Sequence, residues 1–345
     1  MVEVLKRLTE AAGVSGNENE VRAIIRELAG QTGARVSVDR MGNVLAEKAG
    51  QKGGKKVMLE AHMDEVGFLI SGILDNGMLK FKTIGSIDQR LLLSKRVLVG
   101  ESRIPGVIGV KAIHLQEPEE RDKVVRQKQM YMDIGTSCRE DTEELVEIGD
   151  YASFDSRFVR FGDNKVKAKS LDDRVGCGIL LELLKNTYDF DMVACFSVQE
   201  EIGLRGAEVA AWHVEPDLAV SLEGTTCADI PDVPDHMQTT RQGKGPAISF
   251  MDNSSISDRG LFRRMVETAE SHSIPYQIKE NVAGGNDAGS IQKSRGGVPT
   301  LVVSVPCRYI HSPNSLASPA DIRAAYELAR AFLRDQMWNE VIRHA

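Results

Sequence analysis

The sequence predicts an α/β fold interrupted by a small all-β insertion, and three observations carry that expectation. From about Lys165 onward, apolar strand-like runs alternate with helix-like stretches, the pattern of a sheet covered by helices. Residues up to about Gly67 read helix, helix, hairpin, strand. Between them, from Phe68 to about Asn164, the texture changes to short β runs and turn signals. Residues 1–67 and 165–345 therefore form one expected unit, and residues 68–164 an inserted, β-barrel-like one.

The elements follow in order. Met1 to Leu8 reads as an amphipathic helix with Val4, Leu5 and Leu8 on one face, and its mix of acidic and basic residues is unlike a secretion signal. Asn17 is a candidate cap for a second helix carrying Val21, Ile24, Ile25 and Leu28, with Glu20 completing a start like a capping box. Asp75-Asn-Gly77 between two apolar stretches is a strong hairpin mark. Ile104 to Gly109 reads as a turn into another short strand, and the charged run Glu117 to Lys128 as a solvated helix. Beyond the insertion come a helix over Val175–Leu184, strands from Met192, Asp217 and Val298, a helix from Ser257 to about Ser271, and a last helix from Ser318.

Bulk properties exclude several function classes. With 42% hydrophobic and 27% charged residues, the chain has core enough for a globular protein and no disordered tail is expected. At 345 residues it exceeds the usual single-domain size. A net charge of -7, with no basic patch interleaved with aromatics, argues against nucleic-acid binding. No apolar run approaches the roughly 20 residues of a transmembrane helix, so no membrane partner is expected. Five scattered cysteines without C-x-x-C spacing point to reduced thiols and a cytoplasmic protein.

The chemistry-bearing residues sit at the edges of apolar runs. Met58 to Gly67 ends a strand-like stretch with His62 and Asp64 two residues apart, a spacing that suits a metal-bound imidazole and the carboxylate that orients it, or an ordinary strand end. Asp172 and Asp173 precede the helix from Val175, where carboxylates also serve as cap and dipole partner. A buried-looking strand from Met192 runs straight into Glu200-Glu201 at its carboxyl end, the edge where open α/β sheets place their ligands. Another strand ends in Glu223, and His311 follows the apolar run from Val298. His62, Asp172, Glu201, Glu223 and His311 make a nitrogen and oxygen set that suits zinc, cobalt or manganese. Two metals with three ligands each need one shared group, and Asp172 is the natural bridge.

The segments AHMDEVGF, SLDDRVGCG, QEEIGLRGA, GGNDAGS and VPCRYIHSP, in this order and spanning nearly the whole chain, resemble the tetrahedral aminopeptidases of metallopeptidase family 42, which include glutamyl aminopeptidases and proteins once described as endoglucanases. The resemblance implies a three-layer α/β/α catalytic domain with an inserted β domain that dimerises and helps build twelve-subunit tetrahedral assemblies. It implies one metal on His62, Asp172 and Glu223 and the other on Asp172, Glu201 and His311, two divalent ions per subunit, with zinc or cobalt foremost and manganese as an alternative. Glu200 would be the general base, Asp64 the partner of His62, and short peptides the substrates, cleaved at the first residue.

Two positions depart from the family pattern. Many relatives have Asp where this chain has Glu223, which bears on metal spacing, and Thr where Asn286 stands, which bears on the substrate pocket. Gly285, Asn286 and Asp287 are candidate substrate-binding residues, since paired glycines let backbone approach a ligand; the same run also reads as a tight turn before a helix. Asp229, Asp232 and Asp235 lie in a Pro-rich loop and read as solvated carboxylates or as a lure for a basic substrate. Glycoside hydrolysis is a poor fit, because it needs two opposed carboxylates and no metal.

Overall fold

The computed structural model describes residues 1–342. In chain order the helices and strands are α1 Val2–Glu10, α2 Asn19–Gly30, β1 Arg35–Val38, β2 Val44–Lys48, β3 Lys56–His62, β4 Gly67–Ile73, β5 Leu79–Ile84, β6 Arg96–Val99, β7 Ile104–Val110, α3 Pro118–Arg121, β8 Met130–Asp133, α4 Arg139–Glu143 and β9 Tyr151–Phe154. They continue with β10 Val159–Phe161, β11 Lys165–Ala168, α5 Leu171–Leu183, β12 Asp191–Ser197, α6 Arg205–Val214, β13 Leu218–Thr226, β14 Ala247–Ser249, α7 Arg259–Ser271, β15 Gln277–Ile278, α8 Ala288–Ile291, β16 Thr300–Arg308, β17 Ser315–Ala317, α9 Pro319–Asp335 and α10 Asn339–Ile342.

Strand alternation explains the layers. Along β3, Val57, Leu59 and Ala61 face one core while Met58 faces another; β12 repeats this with Met192, Ala194 and Phe196 against Val193 and Cys195. The first core is closed by α1, α2, α5 and α9, the second by α6 and α8. A sheet buried on both faces results, as parallel strands require. Its main order is β1-β2-β12-β3-β13-β16-β17-β11-β10, with β14 and β15 attached beside β16. The centre, β12-β3-β13-β16, is parallel throughout, so four carboxyl ends gather along one edge.

Between β3 and β11 the chain leaves this sheet and closes a six-stranded barrel in the order β4-β5-β8-β7-β6-β9. Its separate core centres on Phe68, which meets Phe81 and Phe154 edge to face. The hairpin forms at Asp75-Asn-Gly77, with Gly77 at φ 82°. β10 is already paired to β11, so the chain has rejoined the large sheet by Val159, within the stretch assigned to the insertion from sequence.

Three local expectations need correction. Asn17 does not cap α2: the turn that bonds Asn17 N to Val14 O carries on, Glu18 takes the cap position, and the Glu20 carboxylate is engaged by Ala12 N and Arg103. The run Glu117–Lys128 is α-helical only over α3, with a single 3-10 turn beginning at Gln127, because Val124 and its neighbours have no apolar stripe to pack and a short helix without packing is marginal. Ile104 to Gly109 is itself strand β7, and its turn lies just before it. No helix of the described residues is long and apolar enough to cross a membrane.

Candidate active site

All but one of the acidic and imidazole groups at the site are delivered by the central strands or the turns that follow them; Asp172 comes from the start of α5. β3 ends at His62, whose register partner is Ser197 at the end of β12. Gln199 then turns with φ 59° and presents Glu200 and Glu201. Glu223 lies near the end of β13, and β16 leads into the loop that carries His311 at φ 56°. Asp172 and Asp173, joined by a cis peptide, have non-helical backbone ahead of the regular part of α5. Left-handed φ at non-glycine residues such as Gln199 and His311 is costly and persists where surrounding structure enforces it.

The side chains meet in a cleft of about 520 Å³ lined by His62, Ser86, Asp172, Glu200, Glu201, Glu223, Lys279, Asn286 and His311 among others. Asp172 divides its two oxygens. Oδ1 lies 3.3 Å from His62 Nε2, and Oδ2 lies 3.4 Å from His311 Nε2. Glu223 Oε2 is 3.9 Å from His62 Nε2, and Glu201 Oε2 is 3.3 Å from His311 Nε2. Two trios therefore share Asp172, His62–Asp172–Glu223 and Asp172–Glu201–His311, with the donor atoms of each trio within 4.8 Å of one another.

These trios fit divalent cations. Four-coordinate ions with bonds of about 2.0–2.1 Å place ligand atoms roughly 3.3 Å apart, close to the separations found here. Glu223 Oε1 is buried with no hydrogen-bond partner among the described residues, as expected of an oxygen meant for something other than protein. Four carboxylates, Asp172, Glu200, Glu201 and Glu223, face two imidazoles, so added positive charge relieves repulsion among buried anions.

The orienting contacts differ in kind. His311 Nδ1 is 2.8 Å from the carbonyl of Ser86, a residue just past β5 that sequence reasoning did not single out. Asp64 Oδ1 stands 3.5 Å from His62 Nδ1, a charge contact longer than a hydrogen bond. The Asp64 carboxylate instead accepts the backbone amides of Glu200 and Glu201 and the hydroxyl of Ser15. Burial pushes Glu200 up to about 8, with Glu201, Asp64 and Asp172 adding to the rise and His62 opposing it. The Glu200 side chain lies 4.0 Å from His62 Nε2 and is tied down by no hydrogen bond among the described residues.

The loop expected to touch substrate splits. Gly284, Gly285 and Asn286 line the cleft, the Asn286 amide donating to Asp252. Asp287 does not line it: it is fully buried, and its Oδ2 accepts from Ser197 Oγ behind the sheet edge. Asp229 is not a free solvated carboxylate either, since Arg308 grips both of its oxygens. Lys279 was unforeseen. It is 6% exposed, lines the cleft, and donates to the carbonyl of Ala283 at 3.1 Å. Burial lowers its pKa, against the pull of Asp252, Glu223 and Asp172.

With that geometry in hand, similarity to known proteins is specific. The model of the M42 glutamyl aminopeptidase family matches residues 42–328, and a second model, AMPT, matches residues 1–24. A lysyl aminopeptidase of Pyrococcus furiosus is 31% identical over 345 aligned residues, covering 96% of each chain. The crystal structure of a TET aminopeptidase from a marine-sediment thaumarchaeon superposes with a TM-score of 0.94 at 34% identity, covering 98% of both chains. The TET1 peptidase of Pyrococcus horikoshii, which can assemble into a tetrahedron or a large octahedral shell, gives 0.86 at 34% identity over 97% of this chain and 99% of its own.

Proposed function

This chain belongs to the M42 glutamyl aminopeptidase family, and from that premise we propose that it is a dinuclear metal aminopeptidase that removes the first residue from short peptides. The observation that carries the reading is the division of Asp172, one oxygen toward His62 and the other toward His311. His62, Asp172 and Glu223 would hold one divalent ion and Asp172, Glu201 and His311 the other, zinc or cobalt first and manganese as the alternative. The longer Glu223, where many relatives carry Asp, still brings an oxygen into its trio. Two such ions supply Lewis acidity toward the scissile carbonyl and toward water.

The chain's own groups do the rest. Glu200 is the general base. Its carboxylate, held by no hydrogen bond among the described residues, takes the proton of the attacking water and returns it to the nitrogen of the leaving amine. Asp64 fixes the backbone under Glu200 and Glu201, so the base and the ligand keep their separation. The free α-amino group of the peptide would approach one of the ions and the carboxylates beside it, which confines cleavage to the peptide's first residue.

The large-sheet part, before β4 and from Val159 onward, is then the catalytic domain, and the barrel from β4 to β9 the part that joins subunits into dimers and a tetrahedral dodecamer. Exposed Val107, Ile113, Leu115 and Ile148 on the insertion supply apolar surface for such contacts. Five free cysteines suit a reducing compartment such as the cytoplasm.

The test is hydrolysis of a panel of aminoacyl p-nitroanilides by metal-stripped protein with and without zinc, cobalt or manganese, beside Glu200→Gln. Metal-dependent release that disappears in the variant is the expected result. No release with any metal, from protein that binds two ions, would reject it.

A further inference from the structure

On the face of the sheet covered by α6 and α8, a second cavity of about 410 Å³ opens between these two helices, within the roughly 300–1,000 Å³ of small-molecule sites. One wall is a helix face, because Glu208, Val209 and Trp212 are neighbours one turn apart along α6. The other wall is the end of α8 and the chain that leaves it, with Ser290, Lys293 and Ser294. Arg295, at φ 51°, clamps the two together. Its guanidinium lies 4.4 Å from the centroid of the Trp212 ring, its Nε donates to Trp212 O at 2.7 Å, and it pairs with Glu215 at 2.8 Å.

The lining has the marks of a ligand site. Ser294 is 6% exposed, and its Oγ has no hydrogen-bond partner among the described residues, which is rare for a buried hydroxyl. Trp212 is 53% exposed and extends the apolar surface of Val209. Arg295 pairs with Glu215 rather than Glu208, so the Glu208 carboxylate on one wall and the Lys293 ammonium on the other have no ionic partner among the described residues. Either charge alone would be ordinary solvated surface. An acid, an ammonium, an indole and an orphaned hydroxyl around one cavity are together complementary to a zwitterion with an apolar side chain.

We propose that this cavity binds a free α-amino acid with a large apolar side chain, its ammonium toward Glu208, its carboxylate toward Lys293 and Ser294 Oγ, and its side chain against Trp212 and Val209. One short stretch of chain joins the cavity to the catalytic cleft. Gly284 to Asn286 line the cleft, and Ser290 to Arg295 supply the cavity. Between them Ser290 Oγ donates to Asp287 O at 3.0 Å, and Asp287 Oδ2 accepts at 2.6 Å from Ser197 Oγ, whose residue is the register partner of His62. A ligand that draws Lys293 and Ser294 toward α6 acts on the segment that also walls the cleft, which couples the two sites. The site goes beyond the aminopeptidase reading; its role in feedback rests on that reading, since a free amino acid is what such an enzyme releases.

Binding is measured on metal-free full-length protein, where turnover plays no part, by calorimetry and by tryptophan fluorescence. Trp338 is fully buried, so Trp212 carries the solvent-sensitive signal. The probes are leucine, glycine without the side chain, N-acetyl-leucine without the ammonium and leucinamide without the carboxylate. Leucine should bind and change the fluorescence, and the other three should bind more weakly. Glu208→Gln and Lys293→Met should each weaken leucine by about two- to fivefold, the range of exposed ion pairs, with thermal unfolding unchanged. N-acetyl-leucine should lose nothing further in Glu208→Gln, nor leucinamide in Lys293→Met. With metal-loaded protein and alanyl-p-nitroanilide, leucine should alter kcat as well as KM, and the double variant should keep only the KM effect of a product in the cleft.

Absence of leucine binding, or binding equal in wild type and both variants, overturns the site. An effect on KM alone in wild type overturns the coupling. Absence of cleavage on every anilide rejects the aminopeptidase reading and the feedback role with it, while the binding measurement still decides the site.

Discussion

Asp64 holds the backbone of Glu200: its Oδ1 accepts the Glu200 amide at 3.0 Å while its Oδ2 takes the Glu201 amide at 3.2 Å and the Ser15 hydroxyl at 2.6 Å. One carboxylate thus fixes the turn that presents two acids and also faces His62. Asp64→Asn keeps the shape but replaces one acceptor oxygen by a donor, which opposes an amide N–H. A loss of about 10–100-fold in metal affinity or activity is expected, the size seen when groups that orient metal ligands are changed. Asp64→Ala should lose more. Metal titration and kcat/KM on one aminoacyl anilide check this, and a wild-type Asp64→Ala would refute it.

Gly224 is small because Asp172 lies against it. A Cβ at Gly224 would stand 2.9 Å from Asp172 Cα and 3.2 Å from its Cβ. Gly224→Ala must push the backbone of Asp172, at a cost of about 1–3 kcal/mol for overpacking, and should weaken binding of both ions at once. Gly178 in α5 is the contrast, since a Cβ there meets nothing within 4 Å. Gly178→Ala should leave metal content alone and stabilise by up to about 1 kcal/mol, the helix-propensity difference. Thermal unfolding and metal analysis of the pair separate the two effects.

Lys169 and Glu65 form a pair buried to 2% exposure, with Lys169 Nζ at 2.6 Å and 2.7 Å from the two oxygens and 2.7 Å from Ala11 O. It joins the segment after α1, the exit from β3 and the entry to α5. Lys169→Met leaves a buried carboxylate with Arg174 at 3.7 Å as its nearest cation, and a loss of about 3–5 kcal/mol is expected. Chemical denaturation of metal-free wild type and variant measures it without a contribution from ion binding.

Much of the site was legible in the sequence because parallel strands end on apolar runs, so the acids just past those runs, Glu200 and Glu201 after β12 and Glu223 in β13, share one edge. His62 and His311 were readable in the same way. The contacts between distant segments were not. Nothing near Lys279 in the sequence marks it as lining the cleft, and Ser86 reaches His311 only because the barrel returns to the sheet edge. Asp287 directly follows the cleft residues Gly284, Gly285 and Asn286 in sequence yet turns inward to Ser197, since the start of α8 rotates successive residues away from the cleft. Helix starts failed where a turn carried on, as at Asn17, because capping depends on backbone geometry that letters do not encode.

The shared carboxylate gives the metal reading its most demanding consequence. If the oxygens of Asp172 serve different ions, the two sites can be emptied one at a time from their outer ligands but not from the centre. Glu223→Gln weakens only the trio with His62, and Glu201→Gln only the trio with His311, so each variant should retain close to one ion per subunit after dialysis against dilute zinc. Asp172→Asn weakens both trios and should fall below one. Elemental analysis against protein concentration reads all three, and two ions retained by Asp172→Asn would refute the bridge. The same order should appear in unfolding: at free metal about a hundredfold above Kd each retained ion contributes about 2.7 kcal/mol, so chelation should lower the wild-type midpoint most and that of Asp172→Asn least.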